Sequence, residues 1–208
     1  MKKPVVRARL AGGFFWTHNI ETNSLTTRSP NLGNAVRVFG TTTNFLADFE
    51  VVSVRGDVAW QLAPDPFLGT PAVLTFSGEY VKNLANDYET LAGATTNVAP
   101  DQTEGWTGQV AFGGSRKKGE WQIAYQYKYL EADAVFDALT DSDWGNGGTD
   151  RKGHVIKASY NLQEWWQLGF AAFLTEKISN RPNSGHNVAA PRVTEELLRV
   201  QLDSIFKF

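Results

Sequence analysis

Cysteine is absent from the 208 residues, which excludes disulfides and thiolate metal sites outright. Long apolar runs are missing as well. Nothing approaches the roughly 18–20 residues that a membrane helix requires, and the average hydropathy is polar. Neither sign of charge dominates: 20 basic and 22 acidic side chains leave a net charge of −2, so there is no nucleic-acid footprint and no acidic tail. Helical periodicity is scarce. No Gly-x-Ser-x-Gly elbow, His-x-x-x-His pair or phosphate-cradling glycine loop occurs, so no catalytic residue and no cofactor is expected. The opening Met-Lys-Lys-Pro-Val-Val-Arg-Ala-Arg-Leu starts like a signal segment, but Arg7 and Arg9 interrupt its apolar core. No signal peptide is read there, and the expectation is a mature or truncated chain.

What the chain does have is aromatic residues, 12% in all with seven Trp and thirteen Phe, set in two-residue alternation. With membrane helices excluded, the choice lies between a soluble all-β protein and a closed membrane barrel. Eight strands are predicted, at about 5–17, 48–62, 72–84, 104–116, 119–131, 152–162, 164–175 and 196–208, in one domain spanning 1–208. Each is long enough for the roughly 9–11 residues of a tilted membrane strand, whereas soluble strands usually run nearer five or six. Connections alternate between short (63–71, Lys117-Lys118, Gln163) and long (18–47, 85–103, 132–151, 176–195). Short periplasmic turns and long external loops alternate in this way in outer-membrane barrels. The stretch 34–46 reads as loop structure with room for extra pairing.

Alternation splits every strand into two faces. Trp121, Ile123, Tyr125, Tyr127 and Tyr129 oppose Gln122, Ala124, Gln126 and Lys128; Leu198, Val200, Leu202 and Phe206 oppose Arg199, Gln201, Asp203 and Lys207. Glu50, Lys82, Glu131 and Glu176 share the apolar phase but sit at strand ends. Trp16, Trp60, Tyr80, Trp106, Trp121, Tyr129 and Trp166 gather near strand ends on the apolar face, where aromatic girdles mark the two lipid interfaces. A lysine or arginine at the midplane of a lipid face would cost roughly 2–4 kcal/mol, and none is there. The apolar face is therefore expected to point outward. A soluble carrier of an apolar ligand would turn the same face inward, and that reading remains third in order.

The chain closes on Leu-Leu-Arg-Val-Gln-Leu-Asp-Ser-Ile-Phe-Lys-Phe. An alternating last strand with a terminal aromatic resembles the signal read by the outer-membrane assembly machinery, carried here by Phe206 and Phe208. More specific is the block from Gly114 to Glu176. It contains Gly-Ser-Arg-Lys-Lys-Gly-Glu-Trp-Gln-Ile-Ala-Tyr-Gln-Tyr-Lys-Tyr, then Thr-Asp-Ser-Asp-Trp-Gly-Asn-Gly-Gly-Thr-Asp, then Lys-Gly-His-Val-Ile-Lys-Ala-Ser-Tyr. Together these resemble the C-terminal region of the Gram-negative outer-membrane family described as putative porins, over roughly residues 48–208. The resemblance implies a transmembrane antiparallel up-and-down β-barrel in the outer membrane of a Gram-negative bacterium. It implies passive diffusion of small hydrophilic solutes or ions, with membrane lipid and the assembly machinery as partners and room for a homotrimer. Members of that family are longer, so it also implies that these strands are the C-terminal half of a larger barrel. The runner-up is a complete eight-stranded anchor or adhesion barrel without a pore.

Opposite the apolar face stand Arg7, Arg9, Arg55, Lys128, Lys157 and Arg199 against Asp57, Glu79 and Asp203. They read either as a pore wall with positive surplus or as ion pairs that fill a lumen. A closed barrel of only eight strands is filled by its own side chains. The loop Asp141–Asp150 alternates Asp with other residues before a glycine run, partly as a calcium loop does. It lacks the bidentate Glu twelve residues after the first ligand, so no metal site is expected. A solvated acidic loop that can fold inward and narrow the mouth is the reading. His18, His154 and His186 are expected at or beyond the outer rim, with no nucleophile to serve.

Overall fold

The computed structural model describes residues 5–17, 20, 33–34, 36–39, 42–45, 48–85, 102–178 and 196–207. Ten strands occur among them: β1 (Val6–Trp16), β2 (Val36–Phe39), β3 (Thr42–Phe45), β4 (Glu50–Gln61), β5 (Val73–Asn83), β6 (Glu104–Gly113), β7 (Trp121–Leu130), β8 (Arg151–Gln163), β9 (Trp166–Lys177) and β10 (Leu197–Phe206). The eight long ones make a single sheet in the order β1-β4-β5-β6-β7-β8-β9-β10. Each is antiparallel to its neighbours. All eight predicted spans are present: six are shortened at their ends, β8 is one residue longer at each end, and β9 lies two residues later. The exception to the sequence reading is 34–46, where β2 and β3 pair with each other from Val36↔Phe45 to Phe39↔Thr42. The turn expected at Gln163 lies at Glu164-Trp165, because β8 runs on through a register shift between Asn161 and Gln163. Among the described residues no helix is long and apolar enough to cross a membrane.

Alternation governs which side of the sheet meets what. Leu10 is 81% exposed and Leu202 80%, and Phe14, Val58, Phe76, Ile123, Ile156 and Leu168 stand out on the same face. A water-soluble sheet hides such a face, since monomeric soluble proteins rarely expose apolar patches beyond a few hundred Å². What packing there is lies on the other side and at the two ends. At the short-turn end Thr70, fully buried, donates its hydroxyl to the Gly114 carbonyl at 2.9 Å and accepts from the Gly114 amide at 3.0 Å, tying the β4–β5 connection to the β6–β7 turn. At the opposite rim Phe45, Phe49 and Val51 form a small core with Val81 and Phe136. Phe45 meets Phe136 edge-on at 5.3 Å.

The sheet is open. Among the described residues β1 pairs only with β4, and β10 only with β9, so each leaves one row of backbone N–H and C=O groups without a strand partner.

Candidate functional site

The polar face is assembled by register. Pairing sets Arg9 opposite Asp57 and Arg55 opposite Glu79, since residues of equal phase on adjacent strands fall on one side of the sheet. Arg9 Nε reaches Asp57 Oδ1 at 3.0 Å and closes an ion pair. Among the described residues Arg7, Arg55, Lys128 and Lys157 make no ion pair, and neither do Glu79 and Asp203. Asp203 accepts the side-chain amide of Gln201 at 3.1 Å. All nine charged residues predicted for this face are on it.

Across part of that face lies the loop of residues 131–150. A large apolar side chain in its middle, Trp144, is 1% exposed and packs with Val155, Ala171 and Phe173 of β8 and β9 and with Leu130 of β7. The Lys128 ammonium sits 4.4 Å from the Trp144 ring centre, a cation–π contact. Next to it, Asp143 Oδ1 pairs with the Arg199 guanidinium of β10 at 2.8 Å. The chain can reverse so tightly here because Gly145, Asn146, Gly147, Gly148 and Asp150 all take positive φ, between 58° and 94°, a region that Gly enters freely and Asn or Asp tolerate. Asn34 fixes the loop's upper part: its amide donates to the carbonyls of Ala132 at 2.7 Å and Val135 at 2.8 Å, and its own carbonyl accepts from Asp137 N–H at 2.7 Å.

These contacts correct the expectation of a solvated acidic loop. Thr149 and Asp150 are buried with Trp144, and Asp143 is held by Arg199 rather than by water alone. The inward fold was expected; its anchors, Trp144 and the Asp143–Arg199 pair, were not. A tryptophan inside an otherwise polar loop was the available signal, since an aromatic of that size rarely remains in water when a wall is near. Among the described residues no group of three or more His, Asp or Glu could hold a metal ion.

The apolar face carries two aromatic belts. Near the long-loop rim, Trp106 stacks on Tyr129 with ring centres 6.0 Å apart, beside Tyr80, and Trp16 stands on the same face. At the other end Trp165, Trp166 and Phe206 stack on one another at 5.7–6.2 Å, with Trp60 and Trp121 at the same level. Trp121 donates its indole N–H to the Leu68 carbonyl and Trp166 donates to Ser204 Oγ. From Trp121 to Tyr129 the strand spans about 27 Å, or about 20 Å along the normal at the usual tilt, comparable with a lipid-facing band of roughly 25 Å. Charges at the apolar phase stay at the rim, where Lys82 pairs with Glu104 at 2.7 Å and Lys152 with Glu176 at 3.2 Å. Phe206 joins the lower belt, while Phe208 lies outside the described residues.

His154 is the fourth residue of β8, next to the long-loop rim. It sits within β8 on the apolar face, with Nδ1 2.7 Å from the Tyr125 hydroxyl and the Tyr127 ring edge-on at 5.0 Å. Two aromatic neighbours and a phenol partner give its polar atom a bond, which spacing alone did not reveal. His18 and His186 lie outside the described residues.

Spin labels give a direct test of the two faces. In lipid, labels at Leu10, Trp60, Phe170 and Leu202 should be quenched by reagents dissolved in the acyl region, and a label at Arg55 by water-soluble ones. The opposite pattern would turn the sheet inside out.

A family model described as putative porin matches residues 15–190. The match begins well upstream of residue 48, inside β1, and ends before β10. No curated protein and no solved structure matches the chain.

Proposed function

Since the chain belongs to the putative porin family, outer-membrane proteins of the β-barrel kind, we propose that its eight long strands form part of the wall of a water-filled pore. Small hydrophilic solutes or ions cross that pore by passive diffusion, in the outer membrane of a Gram-negative bacterium. Lipid covers the apolar face, and the assembly machinery reads the last strand, with Phe206 and Phe208 as its handle. Two further copies would complete a trimer.

One observation carries this reading: the polar face supports a folded loop. A closed barrel of eight strands has room only for its own side chains. Here residues 131–150 rest on that face with a tryptophan sealed beneath them. A wall that accommodates such a loop encloses more space than eight strands can. The free edges of β1 and β10 point the same way. In hydrocarbon each unsatisfied backbone group costs several kcal/mol, so further strands at those edges complete the circle. An anchor barrel of eight strands would leave the loop no place to lie.

The test is conductance. Protein purified from its native outer membrane and added to a planar bilayer should give stepwise, ohmic current increments, and vesicles containing it should swell in small sugars. Insertion without current would remove the pore and favour an anchor.

A further inference from the structure

Below the docked loop the polar face opens into a cleft of about 260 Å³ between β8 and β10. Its floor is β9, where the small residues Gly169 and Ala171 lie between Gln167 and Phe173. Lys157 and Ser159 rise on one side, Gln201 and Asp203 on the other, and Asp143 of the loop stands at its edge. The floor is small for a reason visible at Gly169: a Cβ there would lie 3.3 Å from Asp203 Cβ and 3.5 Å from its Oδ2.

The cleft carries two opposite charges that do not meet. Among the described residues the Lys157 ammonium makes no ion pair, and it lies 5.9 Å from the centre of the Phe173 ring. Among them Asp203 has the neutral amide of Gln201 as its hydrogen-bond partner, on Oδ1. Beside it Gln201 Oε1 is covered yet accepts no hydrogen bond among the described residues, an unusual state for a buried acceptor. One wall therefore offers a cation, and the other a carboxylate beside a covered acceptor that lacks a donor.

We propose that this cleft is a solute subsite for a small zwitterion of the amino-acid or dipeptide class. Its carboxylate meets Lys157 and its ammonium meets Asp203. Two strand spacings separate the β8 and β10 backbones, about 10 Å, and a small solute lies between the two charged side chains that rise from them. A simple anion would satisfy Lys157 and leave Asp203 bare. A neutral sugar would leave both charges unanswered. The volume is near the lower bound of ligand sites, roughly 300 Å³, which selects small solutes. This inference rests on the pore reading above and names what that pore handles.

The experiment measures flux of glycylglycine into vesicles containing the native channel, with glycerol and acetate as neutral and singly charged controls and ion current recorded in parallel. Glycylglycine flux should saturate with concentration, while glycerol flux should rise linearly. Lys157→Gln and Asp203→Asn should each raise the half-saturating concentration about tenfold, the loss of one charge-assisted hydrogen bond, read as a ratio to glycerol flux. Exchanging the charges, Lys157→Asp with Asp203→Lys, should restore saturation because the solute can bind reversed. If glycylglycine flux is linear in a protein that carries ion current, the subsite is overturned and the pore stands. If acetate saturates as well and Asp203→Asn changes nothing, the cleft is a plain anion site. No ion current at all would remove the pore itself.

Discussion

Replacing Trp144 by alanine should widen the passage. The indole is 1% exposed and its Nε1 meets no acceptor among the described residues, so packing on Val155, Ala171 and Phe173, with the Lys128 ammonium over the ring, is what holds it. Truncating a buried tryptophan costs about 3–5 kcal/mol. That loss would shift the balance between docked and released loop by a hundredfold or more, at about 1.4 kcal/mol per decade. Near Trp144 the Asp143–Arg199 pair would remain, and an exposed ion pair contributes only about 0–1 kcal/mol; the Asn34 and Asn83 bonds and the Phe136 contacts hold the far part of the loop. Single-channel records should show larger currents with flicker between two levels, and a strand content unchanged from the wild type. Unchanged current and noise would mean that the loop does not limit the pore.

The second large effect concerns charge. Pairing neutralises Arg9 with Asp57 and Arg199 with Asp143, which leaves Arg7, Arg55, Lys128 and Lys157 against Glu79 and Asp203. The surplus on this wall is thus positive after pairing, as it was before. Each kT of wall potential changes the anion-to-cation ratio by about sevenfold, provided the passage is not much wider than the screening length of about 8 Å at physiological salt. Mild anion preference is the expectation, fading as salt rises. Arg55→Glu together with Arg199→Glu should cancel or invert it, and the second change also sets a carboxylate against Asp143, so loop flicker should accompany the loss of selectivity. Reversal potentials under a salt gradient measure both. Cation preference in the wild type, or none of this response in the double variant, would defeat the prediction.

Much of this was legible because a strand repeats every two residues. The sequence Trp121-Gln-Ile-Ala-Tyr-Gln-Tyr-Lys-Tyr declares its two faces without any knowledge of neighbours, and the pairing of β7 with β6 and β8 follows from short turns and equal phase. The belts were readable for the same reason, since Trp106 and Tyr129 need only lie at the same depth to stack. Contacts made by loops obey no such period. Nothing in the spacing of Asp143 and Arg199, far apart in the chain, announces their pairing, and Asn34 reaching Ala132 and Val135 is equally silent. The β2–β3 hairpin escaped because its strands are four residues long, too short for alternation to stand out from chance. The Tyr125 hydroxyl that meets His154 across the β7–β8 pairing was equally silent in the spacing.

The docked loop also orders events in time. Its Trp144 packs on β7, β8 and β9, while among the described residues its ion pair to β10 is Asp143–Arg199. The first set of contacts can form as soon as three neighbouring strands have paired. The last waits for the final strand to arrive. A sheet that rolled shut beforehand would have to admit a folded segment through its own mouth, whereas an open arc receives it from the side. The Asp143–Arg199 pair, for its part, can form only once β10 has joined β9.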